Sequence, residues 1–282
     1  MRFKNFVVKD LDIKSVYHLL ISGISPRPIA LVGSIDKHNN SNLAPFSFFN
    51  AFGANPPIVG FSPALSGKTG LPKDTLVNIR ETEEFTISIV SSSMVEQISL
   101  SSCEFDKNID EFDKTGLTKF KSKIIKPYAV HESNFIMECK LYDIIELGNK
   151  PASGNLILGE VLQFYVNESI LTKTNQIDPH KLDPIARNGG SWYTETKKGL
   201  FELKKPKNIG IGFDAIPDKI KKSTYFNGNE LAKLASIKSI PDNDNCKVNE
   251  SLSSLYKICQ DKISQNKIQE AWQIIFKILE HE

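Results

Sequence analysis

The stretch "SNLAPFSFFNAFGANPPIVGFSP", Ser41 to Pro63, decides how this chain folds. It sits in an uncharged run from Asn39 through Gly67, in a chain whose charged residues make up 24% of the total. Its prolines and polar residues exclude a membrane helix, and its Phe and small residues do not suit an ordinary surface loop. Just before it, the β-rich run "PIALVGSI" and the turn cluster "DKHNNSN" predict a β-hairpin, Pro28–Ile35 against Asn42–Phe52. "PPIVGFS" adds a third strand.

Outward from this centre the hydrophobic period changes several times. Upstream, Asp12 is positioned to cap a short helix carrying Ile13, Val16, Tyr17, Leu20 and Ile21, which "GISPRP" ends. Downstream, "KDTLVNIRETEEF" reads as a helix capped by Asp74 with Leu76 and Ile79 on its inner face, and "FTISIVS" returns to strand. "SMVEQISLSS" and "DEFDKTG" read as short helical or irregular connectors. "FIMECKLYDIIELG" and "GNLILGEVLQFYV", separated by "NKPAS", predict a long hairpin. Many strands and few helices imply a mainly β fold, an antiparallel barrel with helices, over residues 1–200. From 201 to 282 the texture becomes helical. "NELAKLASI" and the run Val248–Leu279 predict a C-terminal helical extension, packed on the barrel or on a second subunit.

Composition and motifs remove several function classes. The 282 residues carry a formal net charge of +2, which gives no reason to expect nucleic acid or an anionic membrane as a partner. Cys103, Cys139, Cys246 and Cys259 are scattered, with neither a disulfide framework nor metal spacing, and the charged N-terminus does not read as a signal peptide. The expected address is cytoplasmic. "SPALSGKTG" nearly matches a phosphate loop, but Ser62 replaces the first Gly and Pro72 blocks the helix that should follow; a loop near some ligand fits better. "GIGFDA" imitates a dinucleotide fingerprint without the strand before it, and "GFSPA" lacks the last Gly of a nucleophile elbow. The five histidines have unrelated contexts, and His180 with Asp183 in "DPHKLDP" suits a turn better than a metal. No catalytic side chain and no metal ligand is identified.

Two features remain. The neutral stretch can line a slot for a flat heteroaromatic ring, or it can be a barrel core strand. Lys73, Asp74 and Thr75 stand at a helix start, where amides, a hydroxyl and an ammonium can hold a phosphate monoester, or form a plain N-cap. Together they suit a mononucleotide cofactor, either an adenosine phosphate or FMN.

The blocks "SPRPIALVGSID", "NLAPFSFFNAFGANPPIVGFSP", "KDTLVNIRETEEF" and "GGSWY" resemble the flavin reductase-like proteins of the FMN-binding split-barrel type, in the flavoredoxin-related branch. The resemblance runs from about Ile21 to about Tyr193. It implies a six-stranded antiparallel split barrel, a homodimer, and noncovalently held FMN. By position it assigns Ala44, Pro45, Phe46, Ser47, Phe48, Phe49 and Asn50 to the flavin ring and ribityl chain. Lys73, Asp74, Thr75 and Asn78 go to the phosphate end, Arg27 and Pro28 are further contributors, and Arg187, Trp192 and Tyr193 border the open side. The implied activity is hydride transfer from NADH or NADPH to FMN, then electron transfer to a flavin, a protein or a small acceptor. An electron-transfer flavoprotein without nicotinamide activity, or a binding module without FMN, are the alternatives.

Overall fold

In the computed structural model the described residues are 1–103, 105–106, 109–203, 209–244 and 250–281, and the chain divides into two compact units, Met1–Leu200 and Phe201–Glu282. Cys246 and Val248, which entered the sequence reading, lie outside the described residues.

The first unit opens with helix α1 (Ile13–Gly23), where the Ser15 amide donates to the Asp12 side chain at 2.7 Å, the predicted cap. Strands β1 (Arg27–Pro28), β2 (Ala30–Ile35), β3 (Ser41–Phe46), β4 (Phe49–Ala54) and β5 (Pro57–Phe61) follow. Helix α2 (Asp74–Thr82) leads to β6 (Glu84–Ile89), the short helices α3 (Val95–Leu100) and α4 (Glu111–Thr115), and the small strands β7 (Lys119–Phe120) and β8 (Ala129–Val130). Strands β9 (Phe135–Glu146) and β10 (Asn155–Val166) form the predicted long hairpin. Helix α5 (Pro179–Leu182) and strands β11 (Ile185–Arg187) and β12 (Tyr193–Glu195) complete the unit.

Seven strands form one antiparallel sheet in the order β3-β2-β6-β9-β10-β5-β4. Its edge strands, β3 and β4, are joined by only Ser47 and Phe48. Three Cα steps of about 3.8 Å keep Phe46 and Phe49 within about 11 Å of each other, so the sheet rolls until its edges nearly meet. The result is a split barrel. The sheet has one strand more than the six implied, because the expected strand Asn42–Phe52 divides. Phe46 pairs with Ala30 of β2, whereas Phe49 pairs with Phe61 of β5. Pro28 also leaves the predicted hairpin, since Arg27 and Pro28 pair with Arg187 and Ala186 of β11.

Alternation along β2 sorts the two hydrophobic clusters of this unit. Ala30 and Val32 join Val59, Phe61, Phe85, Ile87, Met137 and Ile157 in the barrel core. Ile29 and Leu31 pack with Leu43, Met94, Phe112 and Ile185 on the other face. Inside the barrel, the Phe46 and Phe61 rings lie 5.1 Å apart and Phe61 and Phe85 5.6 Å apart. Gly159 makes room for the last of these rings, because a Cβ there would come within 2.3 Å of Phe85 Cζ. Leu76 and Ile79 of α2 belong to the same core, so barrel packing fixes where this helix begins. Its N-cap is Lys73, not Asp74: Lys73 is extended, and Asp74 is already the first helical residue.

The second unit contains α6 (Asp218–Lys221), α7 (Gly228–Leu234), α8 (Leu252–Ser264) and α9 (Ile268–Glu280). It has its own core, with Leu234, Leu255, Cys259, Ile263, Trp272, Ile275 and Ile278 buried together. Trp272 Nε1 donates to the Leu234 carbonyl at 3.1 Å, and α7 begins with a capping box between Asn227 and Glu230. The single run expected over Val248–Leu279 is two helices, because the chain turns at Gln265–Lys267 with Asn266 left-handed at φ 59°. Among the described residues, no helix is long and apolar enough to cross a membrane.

Candidate functional site

Edge strand β3, the start of α2 and the loop from Ser66 to Pro72 wall a cleft of about 340 Å³. Ala44, Pro45 and Phe46 form its neutral side, and Lys73, Asp74 and Thr75 line another part. The two sequence features therefore meet in one cavity.

The α2 end is tied to the sheet by a polar network. Thr75 is almost wholly buried, and its Oγ1 accepts from Asn42 Nδ2 at 2.9 Å. The same amide lies 3.1 Å from Ser34 Oγ, which also accepts from Asn78 Nδ2 at 3.2 Å. A hydroxyl that accepts from Asn42 keeps its proton to donate elsewhere, so Thr75 is a preoriented donor at the cleft. Among the described residues no side-chain cap closes α2, and this nine-residue helix places its positive end at the cleft.

A second arm comes from the "SGKTG" segment, the near miss to a phosphate loop. Ser66 organises it as a tight turn: its carbonyl accepts from the Gly70 amide at 2.8 Å and its Oγ accepts from the Thr69 amide at 3.2 Å. Gly70 has φ +72°, which favours glycine there. This turn brings Ser66, Lys68 and Thr69 to the cleft. Ser101, Ser102, Cys103, Phe105 and Glu111 contribute from the segment after α3 and from α4.

Not every edge amide of β3 is available to a ligand. The Leu43 amide donates to Glu111 Oε2 at 3.0 Å, and Pro45 has no N–H. Burial pushes the Glu111 carboxyl above the usual range; the Leu43 amide pulls it down, and Asp110 and Asp74 push it up again.

The remaining predicted residues lie outside this cleft. Arg27 is buried and directs its donors at the backbone: Nη1 to the carbonyls of Ile21 (2.5 Å) and Ile24 (2.6 Å), and Nη2 to that of Asn188 (3.2 Å). Its Nε reaches Ser47 Oγ at 3.3 Å, and its guanidinium lies 5.9 Å from the Phe48 ring. Arg27 thus clamps the end of α1 to the β3–β4 junction. Pro28 is exposed in β1, and Phe49 packs half-buried against the barrel core. Asn50 is exposed, with its Oδ1 accepting from the Ala51 amide at 2.8 Å. Asn78 donates to Ser34 Oγ and does not line the cleft. Arg187 stacks 4.5 Å from the Tyr193 ring and donates to the Gly190 carbonyl at 2.8 Å, while Trp192 is largely exposed. Tyr193 borders a different cavity, with Val95, Ser99 and Ile185.

The sequence reading missed Ser66, Lys68 and Thr69 as site residues, although the discarded motif marked them as a loop beside a ligand. It also missed Ser101, Ser102, Cys103, Phe105 and Glu111, which carried no local signal. Among the described residues, no group of three or more His, Cys, Asp or Glu could hold a metal ion.

Residues 22–179 match the family described as "Flavin reductase like domain". The chain is similar to nitrilotriacetate monooxygenase component B from Bacillus cereus, at 33% identity over 73% of this chain and 99% of that one, with a TM-score of 0.67. It is similar to the 2-nitrobenzoate 2-nitroreductase NbaA of Pseudomonas fluorescens, at 28% identity over 72% and 97%, with a TM-score of 0.65. It is also similar to the flavoredoxin of Desulfovibrio vulgaris (Miyazaki F), at 26% identity over 64% and 91%, with a TM-score of 0.54.

Proposed function

This chain belongs to the flavin reductase-like family, and on that premise we propose that it is an FMN-dependent oxidoreductase. It takes hydride from NADH or NADPH and passes electrons to a flavin, a protein or a small-molecule acceptor. One observation carries this reading: a single cleft joins the neutral surface of Ala44, Pro45 and Phe46 to a polar end with two lysines and several hydroxyls.

The residues present fit that cofactor. At about 340 Å³ the cleft lies within the size range of small-molecule sites, about 300–1,000 Å³. Lys68, Lys73, Thr69, Thr75 and the α2 N-terminus match a phosphate monoester. Pro45 and Phe46 offer apolar faces to a ring. FMN, when bound, supplies the hydride-accepting and electron-donating chemistry. The chain's residues bind and orient. Thr75 would donate a hydrogen bond to the phosphate, Lys73 and Lys68 would offset its charge, and the uncharged β3 wall would add no fixed charge beside the ring. No side chain needs to act as an acid or base.

The test is anaerobic addition of NADH or NADPH to the FMN-loaded protein. Bleaching of the oxidised flavin band is expected with at least one of them. The likeness to a flavoredoxin favours one other reading, an electron-transfer flavoprotein. A band that persists with both donors but bleaches with dithionite would establish that one instead.

A further inference from the structure

We propose that Glu111 couples binding of the cofactor's phosphate to uptake of one proton, so that protonation of this carboxyl tightens the cleft's hold on FMN. This rests on the reading of the cleft as an FMN site.

The geometry singles out this carboxylate. Glu111 is the first residue of α4, yet its side chain reaches across to β3 and accepts the Leu43 amide at 3.0 Å. It lines the cleft together with Lys68, Lys73, Asp74 and Thr75. It also lines a void of about 10 Å³ next to the cleft, shared with Asp36, Asp74, Asn78 and Asp106. An anion placed at Thr75 and the α2 N-terminus therefore arrives beside a carboxylate that burial already makes hard to ionise. A negative group placed beside a carboxylate raises its pKa, and the free energy of that shift appears in the ligand's affinity.

Among the described residues, the charged and titratable groups around Glu111 are these. β3 contributes none. The start of α2 brings Lys73 and Asp74, and the Ser66–Pro72 loop brings Lys68. The segment before α4 brings Cys103 and Asp106, the β2–β3 turn brings Asp36, and Asp110 pairs with Lys119 at 2.5 Å. Protonation of Glu111 removes from the cleft wall one negative charge that the phosphate would otherwise meet.

The sign follows. Free Glu111 has a raised pKa, and the bound phosphate raises it further, so between those two values binding takes up a proton. Within that window affinity increases by up to about tenfold per pH unit lowered. The phosphate's own second ionisation, near pH 6, works in the opposite direction, because its monoanion is held less well by the lysines. The Glu111→Gln variant isolates the carboxylate, since Gln has no proton to gain and its amide oxygen still accepts from Leu43.

The experiment is isothermal titration of flavin-free protein with FMN and with riboflavin, between pH 5.5 and 8, in two buffers of different ionisation enthalpy. Wild type is expected to take up more protons with FMN than E111Q does, and riboflavin, which lacks the phosphate, is expected to produce no uptake. Glu111→Leu likewise has no proton to gain, so the comparison stands even if E111Q unfolds. Equal proton uptake in wild type and in the folded Glu111 variant would overturn the proposal while leaving FMN binding intact. Failure of wild type to bind FMN at any pH would instead overturn the functional reading, and the proposal with it.

Discussion

Lys73→Ala combined with Thr75→Ala is expected to weaken FMN binding by at least tenfold while leaving the barrel folded. Each residue offers a charge-assisted contact to a phosphate, worth about 1.5–3 kcal/mol in general. Every 1.4 kcal/mol of lost affinity is about a factor of ten. The expected loss is specific to the phosphate end, so riboflavin, which reaches only the Ala44–Phe46 wall, should bind the variant about as well as it binds wild type. Flavin fluorescence titrations with both ligands, beside circular dichroism of the variant, separate a missing anchor from a damaged fold. Unchanged FMN affinity would refute the assignment of the α2 N-terminus to the phosphate.

A second large effect is expected far from the cleft. Glu138, on β9, is fully buried, yet its carboxylate accepts four hydrogen bonds. The amides of Lys123, Ile124 and Ile125 donate to it at 2.7, 2.8 and 3.1 Å, and the Tyr165 hydroxyl donates to Oε1. One side chain thus fastens the 122–127 loop to the barrel. Burial alone would raise its pKa, but the Tyr165 and amide hydrogen bonds outweigh burial and hold it below the usual carboxylate range. Glu138→Gln replaces one acceptor oxygen with an NH₂ that faces donors, and loses about two charge-assisted bonds. The expected destabilisation is about 3–5 kcal/mol, read from urea unfolding. Because the folded-state pKa is depressed, Glu138's contribution is present above the ordinary glutamate range and is lost as the pH falls through the folded value. Wild type should therefore lose stability more steeply than E138Q on acidification. A difference below about 1 kcal/mol, or parallel pH profiles, would contradict this role.

Much of the fold was legible because strand period and turn chemistry are local. The β9–β10 hairpin, the Asp12 cap and the helix beginning near Asp74 all followed from spacing alone. The division of Asn42–Phe52 into β3 and β4 did not, since its residues suit a strand throughout and only pairing with β2 and then β5 breaks it. The C-terminal run concealed its turn in a similar way. "SQNK" carries neither Gly nor Pro, and Asn266 supplies the left-handed residue that a glycine would have advertised.

The cleft was half legible. Ala44–Phe46 and Lys73–Thr75 stood out through missing charge and helix-start chemistry, and they come together as anticipated. Glu111 and Ser101–Cys103 are brought in by α4 and the segment after α3, whose positions depend on packing of Met94, Ile98 and Phe112 against Leu31 and Leu43. No local pattern encodes that contact. Arg27, which the resemblance implies as a further contributor, is held away from this cleft by the carbonyls of Ile21, Ile24 and Asn188 and by Ser47, contacts that no local pattern encodes.

That β3 and the head of α2 enclose a flavin mononucleotide is tested most directly by mixing purified wild-type chain with FMN and passing it through a desalting column. The prediction is a yellow protein fraction with near-stoichiometric flavin and a visible spectrum shifted from that of the free cofactor. A colourless protein, with all the FMN eluting as free small molecule, would contradict it.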